Sequence, residues 1–150
     1  MKSIYDIPDE VLADRILEVV MHPPERIVED SLGDRKLEPE VLKEANKGAV
    51  TVHYRILSHL SGNTLNPFRK IKLQEILDLP SDKLAERTRR VIKRIPSRIE
   101  YHQEAASAQH TIGERAFHEG AEIAYFRLLE QLTGDDLSNE EEYLLWDLES

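Results

Sequence analysis

Sliding the 150-residue chain along itself by 72 positions, without a gap, aligns residues 1–72 with 73–144 and gives 17 identities. Unrelated chains of that length would share about four or five, so the chain reads as an internal duplication. Pro8, Leu12, Ala13 and Arg15 fall on Pro80, Leu84, Ala85 and Arg87. Val19, Pro24, Arg26 and Ile27 fall on Val91, Pro96, Arg98 and Ile99. Gly48, Ala49, Arg55, Leu57, Leu60, Gly62 and Leu65 fall on Gly120, Ala121, Arg127, Leu129, Leu132, Gly134 and Leu137, and Ile4 and Asp6 on Ile76 and Asp78. Two copies in one chain are expected to pack about a pseudo-twofold axis, as a homodimer would. The expected organisation is one compact domain, 1–150, made of repeats 1–72 and 73–144. Similarity is poor between 31–46 and 103–118, where the halves should differ in role.

Each copy reads as helix, break, long helix, break, short helix. Pro8 and Pro80 sit where helices start, with acidic Asp9, Glu10 and Asp82 at the positive end of the dipole. Leu12, Ile16, Val19 and Val20 recur at helical spacing, as do Leu84, Val91 and Ile92. Pro23, Pro24 and Pro96 are expected to end these first helices. The long helices should close at Gly62 and Gly134. The second copy's should run from about Tyr101 to Thr133, and the first copy's from about Leu37 to Ser61, because Gly33 and Pro39 interrupt it. Pro67 and Ser138 are placed to start the third helices. Nothing alternates with period two, so the fold class is all-α.

With no cysteine, disulfides, zinc–thiolate centres, iron–sulfur clusters and thiol nucleophiles are excluded. No apolar run approaches 18 residues, so neither a signal peptide nor a membrane span is expected, and the chain reads as cytoplasmic.

Helix, Arg-Ile loop, long helix ending at Gly and short helix make the outline of a histone fold. Arg15-Ile16-Leu17, Arg26-Ile27 and Gly62 to Leu65 are similar to landmarks of archaeal histones; Arg98-Ile99 and Gly134 through Leu137 to Leu148 repeat them. The whole chain therefore resembles a histone doublet, a covalent version of the usual dimer. A second resemblance is to the helical duplication at the N-terminus of Clp-type unfoldases, carried by Glu119-Gly120 to Leu137. The Gly-Thr-Glu-His run of that family is missing here. The first resemblance implies DNA contact, the second a protein-interaction or adaptor domain.

Charge is unevenly placed. The net charge is −9, yet residues 69–98 hold ten basic and four acidic side chains, while 114–150 hold eleven acids and two arginines. Arg87, Arg90 and Arg94 share a helix face, and Lys93 lies beside it. In the histone outline, Arg69 and Lys70 meet Lys93, Arg94 and Arg98 at one end, with Arg98 the candidate phosphate contact. Arg69, Lys70, Arg87, Arg90, Lys93, Arg94 and Arg98 are thus the candidate surface for DNA or an acidic protein. The bland reading of the same run is a solvated helix face, or one docked on the acidic tail. Arginines present in both copies are expected to be structural: half-buried ion pairs joining Arg15, Arg87, Arg55 and Arg127 to Asp14 and Glu86.

Glu114, His118 and Glu122 lie four apart, which stacks them on one helix face as weak metal-ligand candidates. Paired Glu-x-x-His, His-Glu-x-x-His, a Gly-rich phosphate loop and a Gly-x-Ser-x-Gly elbow are all absent. The expectation is therefore a non-enzymatic binding or architectural module, without cofactor, acting as a monomeric pseudo-dimer. The alternative is an adaptor domain that binds no nucleic acid.

Overall fold

Proline and glycine mark most of the helix ends. The computed structural model describes residues 6–62, 73–108 and 111–135, together with Leu144 and Leu148. Helix α1 spans Asp9–Met21; Pro8 stands just before it, its carbonyl accepting the Leu12 N–H at 3.0 Å. Pro23 and Pro24 follow, a 3-10 turn covers Pro24–Arg26, and α2 spans Ile27–Leu32. Gly33 stops α2 at φ 60°, ψ −117°, a conformation that suits a residue without Cβ. Helix α3 spans Pro39–Ser61, with Pro39 at its first position. Helix α4 is Leu73–Leu77, α5 Ser81–Ala108 and α6 Ile112–Thr133. The Thr111 side chain caps α6 by accepting the Glu114 N–H at 3.1 Å. Gly62 and Gly134 close α3 and α6 with φ of 81° and 79°. Among the described residues there is no strand. The expected starts at Pro67 and Ser138 lie outside the described residues.

One expectation fails. Pro96 does not end a helix: α5 continues through it to Ala108, and α6 begins only after Thr111. Pro96 costs one backbone hydrogen bond. It sits on the exposed face, and the buried stripe of Val91, Ile95, Ile99, His102 and Ala106 runs past it on the other side. Burial along that stripe outweighs the missing bond.

A single apolar core joins the helices. Its centre is the crossing of α3 over α6. Gly48 faces Phe117 and Ala121 there, and Gly120 faces Ala45, so the two backbones touch without side chains between them. Helix α1 packs on α5 and α6, and α2 on α3 and α6.

The shared arginines do not form the expected ion pairs. Arg15 Nη1 donates to the Leu132 carbonyl at 2.9 Å, and Arg87 Nη1 to the Leu60 carbonyl at 2.7 Å. Arg127 Nη1 donates to the Ser31 hydroxyl at 2.9 Å. Glu86 pairs instead with Arg90, one turn along its own helix, at 2.7 Å. Among the described residues Asp14 and Arg55 have no ion pair. The last carbonyls of a helix lack amide partners, and a guanidinium is a strong donor to them. Arg15→Ala and Arg87→Ala are each expected to lower stability by about 1.5–3 kcal/mol, read from the urea midpoint. The sites are far apart, so the double variant should lose nearly the sum.

Candidate anion-binding cleft

Arg55 and His59 stand one turn apart on α3, and Arg94 and Arg98 one turn apart on α5. Ile56, Leu60, Val91 and Ile95 are buried on the adjoining faces and hold the two helices in place. The four polar side chains line one narrow cleft, with a volume of about 20 Å³ and Tyr125 of α6 at its floor. Arg94 Nη1 lies 3.4 Å from His59 Nδ1. Burial, and then the charges of Arg94, Arg98 and Arg55, hold the His59 pKa below its usual value. His59 is therefore neutral near pH 7, and the arginines carry the charge of the site. Among the described residues no carboxylate pairs with Arg55, Arg94 or Arg98.

Deeper in the protein, His102 of α5 meets His118 of α6, with the two Nδ1 atoms 2.8 Å apart. One ring must donate and the other accept, so the pair cannot be doubly charged in this geometry. Burial, then His118, Arg55 and Arg98, lower the His102 pKa to about 4. Tyr101 and Tyr125 flank its ring, with centroids at 5.0 and 6.0 Å. Its Nε2 is buried with no hydrogen-bond partner among the described residues.

Seventy-two residues before Arg94, Arg98 and His102 stand His22, Arg26 and Asp30. There the Asp30 carboxylate lies 2.9 Å from His22 Nε2 and 3.7 Å from Arg26 Nε. Arg127, the counterpart of Arg55 at that offset, is bound to Ser31. One cluster is therefore answered by a carboxylate. In the other, a histidine occupies the carboxylate's position.

The remaining sequence candidates separate. Arg87 is engaged at Leu60 and Arg90 with Glu86; Lys93 is exposed on α5; Arg69 and Lys70 lie outside the described residues. Only Arg94 and Arg98 of that set come together, and Arg55 and His59 join them. Sequence reasoning assigned Arg55 to structure and passed over His59. Their i, i+4 spacing and the Asp30-to-His102 change were the signals available.

Glu114, His118 and Glu122 share α6 but do not converge as ligands. His118 turns to His102, Glu122 is buried, and Glu114 lines a separate groove beside Val41 and Ile112. Among the described residues no group of three or more His, Cys, Asp or Glu side chains is arranged to hold a metal ion. Among them, too, no helix is long and apolar enough to cross a membrane. The chain matches no protein-family model, no curated protein and no solved structure.

Proposed function

We propose that this chain is a non-enzymatic helical binding module that contacts DNA phosphates through the cleft of Arg55, Arg94 and Arg98. In this reading it is an internally duplicated pseudo-dimer of histone-like outline, a single domain of repeats 1–72 and 73–144, acting in the cytoplasm. Reciprocal contacts support the duplication. Arg15 reaches Leu132 while Arg87, 72 residues on, reaches Leu60, 72 residues before Leu132. Gly48 and Gly120, also 72 apart, meet at one crossing. Self-complementary exchange of this kind is what a twofold axis produces.

One observation carries the functional reading: three arginines converge on a cleft where, among the described residues, no carboxylate pairs with them. Guanidinium groups are suited to phosphate oxygens. The test is fluorescence anisotropy of a labelled duplex across a salt series. With three phosphates neutralised, affinity should fall about 40-fold between 50 and 200 mM salt. Arg94→Glu with Arg98→Glu should abolish binding. Absence of binding at low salt overturns the DNA reading.

The overall charge favours a second reading, an acidic protein partner without nucleic acid. Residues 69–98 carry +6, so the other 120 sum to −15, and that surface repels a long polyanion. Partner capture by a chain that leaves duplex DNA free would select this reading.

A further inference from the structure

We propose that the α3–α5 cleft is a discrete site for one phosphate group, held by Arg55, Arg94 and Arg98 in the place that Asp30 takes beside His22 and Arg26. The inference rests on the same cleft as the proposed function, but not on DNA as its occupant.

The Asp30 cluster serves as an internal template. An oxyanion there, one turn beyond Arg26 on the same stretch of helix, meets the imidazole of His22 and the guanidinium of Arg26 together. At the offset of 72, the same relation links Arg94, Arg98 and position 102, and position 102 supplies no oxyanion. The cleft therefore keeps its cations and lacks its anion.

Charge selects the group. Asp30 offers a single negative charge to one permanent cation, Arg26, and one titratable neighbour, His22. The cleft presents three permanent cations, which a phosphate monoester dianion neutralises better than a carboxylate does. Size agrees with a site for one group. A volume of about 20 Å³ admits roughly one water-sized atom, so one phosphate oxygen enters and the others remain at the mouth. Arg94 is exposed and Arg98 half-buried, so their guanidinium groups can close on those outer oxygens.

The test is titration of the full chain with inorganic phosphate, following the arginine side-chain Nε–H signals by NMR. The expected result is saturable movement of the Arg55, Arg94 and Arg98 signals with one site per chain. His102→Asp places a carboxylate one turn from Arg98 and should weaken phosphate binding at least about tenfold, as should Arg98→Gln. If circular dichroism shows His102→Asp to be unfolded, Arg98→Gln decides alone. Unmoved arginine signals, or unchanged affinity in Arg98→Gln, overturn the proposal.

Duplexes with and without a terminal 5′-phosphate separate the sources. Tighter binding of the phosphorylated duplex assigns the site to a terminal monoester. Inorganic phosphate binding without duplex binding keeps the site and removes the DNA reading. Salt-dependent duplex binding without inorganic phosphate binding does the reverse.

Discussion

Gly48→Ala and Gly120→Ala should each destabilise the protein by about 3 kcal/mol or more, with the double variant failing to fold. In an open helix the same change would gain up to about 1 kcal/mol, so packing alone decides the sign. A Cβ on Gly48 would overlap the Phe117 carbonyl oxygen and stand 3.0 Å from the Ala121 nitrogen. A Cβ on Gly120 would overlap the Ala45 carbonyl oxygen and stand 2.7 Å from the Ala45 Cα. The obstacles are backbone atoms, which cannot swing aside as a side chain can. Helices α3 and α6 would have to part, loosening the centre of the core. Gly113→Ala is the control. Its Cβ would meet only the Glu44 Cγ at 3.4 Å, an ordinary contact, so the urea midpoint should hold or rise. Midpoints that fall equally for all three variants would show that the crossing is not special.

Acid should weaken the fold well before the carboxylates titrate. His102 is neutral in the folded protein down to about pH 4, whereas in the unfolded chain it takes up a proton near pH 6.5. Between those values the unfolded state binds more protons. Stability therefore falls as pH drops from 6.5 to 4, and this residue adds no pH dependence above 6.5. The loss expected from His102 is about 2–3 kcal/mol. His53, His59 and His118 are also held below their usual values, chiefly by burial, and act with the same sign. His102→Gln keeps a hydrogen-bonding side chain that does not titrate. It should flatten the slope over this window without removing it, as read from urea midpoints at half-unit pH steps. An unchanged slope would show that the His102–His118 contact is not maintained in solution.

The helix ends illustrate how far the residues speak for themselves. Pro39 and Gly62 bound α3 at Pro39–Ser61, close to the expected limits, because a missing N–H and a positive φ are properties of those residues. The same reasoning misplaced the break in the second copy. Pro96 carries the same local penalty as Pro24, but burial along α5 on both sides outweighs it. The arginines show a second limit. Spacing identified Arg15, Arg87 and Arg127 as shared positions, and it suggested carboxylate partners because opposite charges are what a sequence displays. Their actual acceptors are two backbone carbonyls and a hydroxyl. A carbonyl near a helix end is available as an acceptor wherever the fold brings a donor to it.

The amino-acid sequence by itself determined the all-helical class, the glycine-closed ends of α3 and α6, and the concentration of cations before residue 98. Each rests on interactions within a few residues or on composition. Only the tertiary structure decided that Arg55 and His59 join Arg94 and Arg98, that Arg87 and Arg90 are engaged elsewhere, and that α3 and α6 touch at Gly48 and Gly120. Those outcomes depend on which helix faces meet. Apolar burial selects the faces over the whole chain at once, and local residue preferences do not encode the choice.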